Sequence, residues 1–447
     1  MFTRKPRSAH EAALLQKVKD YLPSGVRNAT ASPEHAMVIK RGHGARIEDF
    51  SGNEYIDYLL GSGPMLLGHA HPAVVAAVRD YLERGSTYLM VNEPAILLAE
   101  EIVRAVPCAE KVSFNSTGSE STFFAMRLAR AYRKRDKILK FEGAYHGMSD
   151  YALMSTHWTR ALTNYPVAVA DSAGIPRCIE GEVLIAPFNN IETTSAIIEK
   201  HHDELAGVIV EPMQRTIPPR PGFLQELRQV TTHYGIPLIF DEIVTGFRFA
   251  YGGAQEYYGV VPDLCALGKS MSGGHPLTVL CGREEIMSYV DLARMTSGDH
   301  VRQTGTMSGN PISAVASLAT LKELRREGAY ERLFATGRKL KDTLQQLLTE
   351  AAIPAQVIGE PPAFEVWFTD HEITDFRSSL TADVALRERF VQLLLDRGIV
   401  KAHEKFFVSL AHTDEDVEIT IEAFRSAIGE LRESAHRSKF LREPNCR

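Results

Sequence analysis

The rhythm of apolar and polar positions changes repeatedly along the chain and marks out its parts. Residues 8–20 predict a short polar helix, and Leu22-Pro23-Ser24-Gly25-Val26-Arg27 reads as a turn-rich exit from it. Alternating residues in Arg46–Phe50 and Tyr55–Leu59 flank Ser51-Gly52-Asn53-Glu54, which predicts a hairpin and a small N-terminal sheet. From about Gly61 the pattern turns to helices alternating with short apolar runs. Pro72 opens one helix that Gly85 can end, and Glu93-Pro94 opens another reaching about Val106. Strands are predicted at Val112–Phe114, Ile138–Phe141, Val183–Ala186, Gly207–Val210, Leu238–Phe240 and Val279–Cys281, most of them separated by helical stretches. Such a sequence implies an α/β fold with a largely parallel sheet covered on both faces. Beyond Pro311 a long helix over 312–324 gives way to a compact α+β region, with strands near Phe364–Phe368 and Phe406–Leu410. The expected division is 1–60, 61–325 and 326–447.

Composition narrows the class without naming a function. Among 447 residues, 44% are hydrophobic and 24% charged, as in ordinary globular enzymes. A net charge of −6 argues against a nucleic-acid or anionic membrane surface. No apolar run approaches the roughly 20 residues that span a bilayer, and no apolar core follows Met1-Phe2-Thr3-Arg4-Lys5-Pro6, so a cytoplasmic protein is expected. Cys108, Cys178, Cys265, Cys281 and Cys446 are odd in number and lack CxxC spacing, so neither a disulfide framework nor a metal site is expected.

Candidate chemistry begins with Asp241 and Lys269. Asp241 ends the apolar run Pro237-Leu238-Ile239-Phe240, and Lys269 stands in the Gly-flanked turn Leu267-Gly268-Lys269-Ser270. A carboxylate at the mouth of a buried strand and an amine on a later turn are what pyridoxal 5′-phosphate chemistry requires, one to keep the pyridine nitrogen protonated and one to form a Schiff base. Asn115-Ser116-Thr117-Gly118-Ser119-Glu120 precedes a helix with Phe124, Leu128, Ala131 and Tyr132 on one face. Its free N–H groups and positive dipole end can hold a phosphate, although serine and threonine there also serve as plain N-caps.

Phe240-Asp241-Glu242-Ile243-Val244-Thr245-Gly246, Gly252-Gly253-Ala254-Gln255-Glu256 and Pro262-Asp263-Leu264-Cys265-Ala266-Leu267-Gly268-Lys269 together resemble the class III pyridoxal-phosphate aminotransferases, nearest the glutamate-1-semialdehyde aminomutase branch. The resemblance covers about Leu22 to Glu433 and implies fold type I, in which 61–325 is the large cofactor-binding domain and 326–447 a smaller α+β domain. It implies Lys269 and Asp241 as catalytic residues, a phosphate turn at Thr117, Gly118 and Ser119, and a ring-stacking residue at Tyr145. His146 and Glu211 are implied near the ring, and Ile243 against its other face. Thr306, in Gly305-Thr306-Met307-Ser308-Gly309-Asn310-Pro311, is implied to reach a neighbouring subunit's cofactor, hence a homodimer with shared active sites. Arg27 and Glu404 match substrate-binding positions of that branch and read equally as surface ion pairs; Arg215 departs from the small or amide residues usual at its position and is a candidate for a second carboxylate partner. The leading expectation is an aminotransferase acting on a small-molecule amino donor and an oxo acceptor. The alternative is an aminomutase, whose lid the stretch Tyr151–Arg177 resembles. Against it, Ser272–Leu277 and Val279–Gly282 depart from the smaller residues usual there. A non-catalytic relative of the fold is the third reading, which the presence of both Lys269 and Asp241 disfavours.

Overall fold

The apolar runs become the strands of one seven-stranded sheet, fully buried along most of their length because helices cover both faces. The computed structural model describes residues 2–23, 35–157, 162–401 and 405–440, the last seven of these by their backbone alone. Across the sheet the strands follow the order Lys111–Asn115, Thr278–Gly282, Leu264–Leu267, Leu238–Glu242, Leu205–Val210, Lys137–Phe141, Val183–Ala186. Only Thr278–Gly282 runs against the others, pairing antiparallel with both of its neighbours. All six predicted strands are present. The seventh, Leu264–Leu267, lies between Pro262-Asp263 and Gly268 and is only four residues long, so its apolar run is overshadowed by the turns that bound it.

The chain divides into two compact units. One comprises Pro72–Glu327 with Ile373–Leu380 and holds the seven-stranded sheet; the other comprises Met1–His71, Gly328–Glu372 and Thr381–Arg447. The expected hairpin forms between Arg46–Asp49 and Glu54–Asp57, and Ile399–Val400 adds to it in parallel. That pairing explains why the first 71 residues cluster with C-terminal segments and do not stand as a separate segment ending at 60. A second small sheet, Gln356–Glu360, Ala363–Trp367 and Phe406–Phe407, carries the predicted C-terminal strands. Within this unit Lys401 Nζ meets both Glu365 carboxylate oxygens at 2.8 and 2.7 Å, an ion pair wholly out of solvent.

Local signals fix the helix that matters most to the site. Thr117 caps Gly118–Arg133 in a capping box with Glu120, and Lys134 in the left-handed region ends it. Ala125, Met126, Leu128 and Ala129 bury its inner face against Ile209, Ile239, Leu264 and Leu280. The helix N-terminus is thereby held at the end of the sheet where Asp241 lies.

Candidate active site

Parallel register sets the central pair. Asp241 lies beside Ala266 and Glu242 beside Leu267, so Lys269 leaves the neighbouring strand two residues further on at the same sheet edge. Lys269 has φ of 41°, a left-handed conformation that costs a non-glycine residue about 1–2 kcal/mol. Strain of this kind persists where surroundings over-determine the backbone, and such places are often functional. Here the Ser272 N–H and hydroxyl both donate to the Lys269 carbonyl at 2.9 Å. Gly268 admits no side chain: a Cβ there would stand 2.8 Å from Thr278 Cγ2 and 3.2 Å from Ile243 Cδ1.

Asp241 is buried, with Oδ2 2.8 Å from His146 Nδ1 and Oδ1 accepting the Ile243 N–H at 3.1 Å. His146 is fixed in turn, its carbonyl accepting from Thr122 Oγ1 at 2.6 Å. Its Nε2 is buried without a hydrogen-bond partner among the described residues. Ile243 also touches the helix N-terminus, since a Cβ on Gly118 would meet its Cδ1 at 3.2 Å. Helix end, carboxylate and lysine turn thus share one wall. Ser119 Oγ accepts the Met148 N–H at 3.1 Å, while the Thr117 hydroxyl is used in the cap, leaving the backbone of Gly118 and Ser119 as the helix's foremost donors.

The loop bearing Tyr145 and His146 is anchored by a residue that pattern reasoning missed. Lys140 is buried in the strand Lys137–Phe141, and its Nζ donates to the carbonyls of Ala144, Ala152 and Met154 and to Thr156 Oγ1, all within 3.0 Å. Burial holds its ammonium down to about 7. A lysine interrupting Ile138-Leu139-Lys140-Phe141 was the available signal. Tyr145, 39% exposed, donates its N–H to Glu211 Oε1 at 2.8 Å. Glu211 Oε2 accepts the Arg215 N–H at 3.1 Å. Arg215 Nε then reaches the Gly143 carbonyl at 3.1 Å, with its guanidinium 5.4 Å from the Tyr145 ring centroid. Thr278, also missed, donates to the Thr117 carbonyl at 2.8 Å and pairs with Ser121 Oγ at 2.9 Å.

Thr117, Gly118, Ser119, Tyr145, His146, Glu211, Asp241, Ile243 and Lys269 are therefore linked through direct contacts or adjoining turns, and Arg215 joins them. Thr306 is apart: it is exposed and lines a cavity of about 460 Å³ together with residues 87–92. Arg27 and Glu404 lie outside the described residues. The linked set fits a phosphorylated pyridine aldehyde. It offers helix N–H groups for the phosphate, a fixed buried carboxylate for a ring nitrogen, an aromatic side chain and an amine.

Comparison with known proteins agrees with that fit. The aminotransferase class-III family model matches residues 28–428. A glutamate-1-semialdehyde 2,1-aminomutase of Desulforudis audaxviator is 41% identical, covering 94% of this chain and 97% of the relative. Among solved structures, an omega-transaminase from Sphaerobacter thermophilus is 34% identical with a TM-score of 0.89, covering 96% of this chain and 99% of the other. A transaminase with PLP bound is 27% identical, with a TM-score of 0.85 over 95% of this chain and 98% of the other.

Proposed function

The chain belongs to the class III aminotransferases, enzymes that bind pyridoxal phosphate or its amino form, and on that premise we propose that it moves an amino group between two separate small molecules. The donor is an amino acid or amine and the acceptor an oxo acid or aldehyde. The observation that carries the reading is Lys269, strained at φ 41° on the turn beside the His146–Asp241 pair.

Pyridoxal phosphate, when bound, supplies an electron-withdrawing ring that stabilises negative charge at a substrate Cα. Gly118 and Ser119 bind its phosphate through N–H groups at the positive end of their helix. Asp241, oriented by His146 and by the Ile243 N–H, holds a proton on the ring nitrogen. Tyr145 offers its ring for stacking, and Glu211 fixes that residue through its N–H. Lys269 Nζ would hold the cofactor through its amine and, as a free base, would take the proton from the substrate Cα. Arg215, placed over Tyr145, receives a substrate carboxylate through its planar fork. Thr306 serves the site of a second copy. In support, it lies beside Leu89, Met90 and Val91, which are 76%, 78% and 82% exposed and form an apolar run that a homodimer would cover. No helix among the described residues is long and apolar enough to cross a membrane, and we assign the enzyme to the cytoplasm.

A second reading has its own support: curated relatives 40–41% identical over more than nine-tenths of the chain are aminomutases. The experiment that separates the two gives purified enzyme a panel of amino acids with oxo acceptors, and glutamate 1-semialdehyde alone. Oxo acid formed from the donor in step with new amine on the acceptor supports intermolecular transfer. Efficient turnover of the semialdehyde with no second substrate overturns it in favour of the aminomutase.

A further inference from the structure

Cys108, Cys265 and Cys281 converge in the large unit although none is near another in sequence. Cys265 and Cys281 are direct partners across the antiparallel strands Leu264–Leu267 and Thr278–Gly282, and Cys108 follows the helix Glu93–Ala105. The three sulfurs lie within 4.8 Å of one another, and all three residues are buried. A buried thiol needs no other thiol to pack well as a small apolar group. Thiolates at about 2.3 Å around a tetrahedral zinc ion stand about 3.8 Å apart, so sulfurs within 4.8 Å of one another need at most a small inward shift to ligate one.

The surroundings support ligation. Gln255 Oε1 accepts the Cys108 N–H at 2.9 Å while its Nε2 donates to buried Glu242 at 3.0 Å, fixing the turn that carries the thiol much as outer partners orient metal ligands. Cys108 also lines a cavity of about 410 Å³, which offers an approach. On the cavity wall Asp263 is clamped by Arg228 at 2.6 Å and Arg283 at 2.9 Å, so its charge is already matched.

We propose that Cys108, Cys265 and Cys281 bind one thiophilic divalent cation of the zinc class, at a site distinct from the Lys269 centre. Three sulfur donors select against hard ions such as magnesium and calcium. Charge selects divalent over monovalent: three thiolates leave one negative charge around the former and two around the latter, and each uncompensated buried charge is costly. A water from the cavity completes the tetrahedron. As each sulfur–metal bond forms, its Sγ–H bond breaks and the proton passes to solvent, with no change of oxidation state. The ion ties the end of Glu93–Ala105 to the strand that runs into Gly268-Lys269.

The test uses reduced, full-length, cofactor-loaded enzyme carrying C178S and C446S, so that the two cysteines outside the cluster cannot contribute. After chelator treatment, loading with Zn²⁺ and gel filtration, one zinc per chain should remain. Its X-ray absorption should show three sulfurs at about 2.3 Å. Adding C281S should weaken zinc retention at least a hundredfold. A shell of nitrogen and oxygen only, or retention unaffected by C281S, overturns the proposal. Should the C281S protein fail to fold, the sulfur count in the parent protein decides by itself.

Discussion

Replacing Lys269 separates its chemistry from its backbone strain. A residue at φ 41° pays about 1–2 kcal/mol for the left-handed region unless it is glycine. Lys269→Ala removes the amine and keeps that cost, whereas Lys269→Gly removes both. Neither variant should turn over, because no other amine stands on this turn. Their stabilities should differ: after allowing for the extra freedom of glycine in the unfolded chain, the glycine variant should be more stable by about 1 kcal/mol. For a unit of this size that is a rise of about 2 °C in Tm, measured on the two cofactor-free proteins side by side. Identical melting would refute the strain, and measurable amino transfer by either variant would refute the role of the amine.

Asp241→Asn should keep the fold and lose on the order of 10²–10³-fold in kcat, since a neutral amide no longer holds the ring proton; near-normal turnover would contradict that role. Lys401→Met should cost about 3–5 kcal/mol by stranding Glu365 in the core, while adding Glu365→Leu should restore most of the loss, read by denaturant titration. His412 is buried and stacked on Tyr58 at 4.3 Å, and burial holds its imidazole down to about 4, below the ordinary 6.5. Between those values the unfolded chain takes a proton that the folded one refuses. Its contribution is therefore whole above pH 6.5 and falls by about 3 kcal/mol as the pH drops to 4. His412→Asn should flatten stability across that window, and an unchanged slope would count against the assignment.

Much of the fold was legible because a doubly covered parallel sheet writes itself as short apolar runs, each closed by a turn. Leu264–Leu267 was not, since four residues between Pro262-Asp263 and Gly268 carry too little pattern, although that strand delivers Lys269. The pairing of Glu54–Asp57 with Ile399–Val400 joins segments far apart in sequence, and local periodicity holds no trace of it. At the site, residues ending strands or starting a helix could be named individually, because their chemistry follows from their place on a turn. Contacts between elements could not. The Asp241–His146 hydrogen bond, the anchoring of the Tyr145 loop by Lys140 and the meeting of three cysteines all arise from tertiary packing.

The central claim is that Lys269 is the amine that holds the cofactor. Reduction of the native, cofactor-loaded enzyme with borohydride, followed by proteolysis and mass spectrometry, tests it directly. The account predicts a pyridoxyl phosphate group on the peptide containing Lys269. The same label on another lysine, such as buried Lys140, or no label at all, would contradict it.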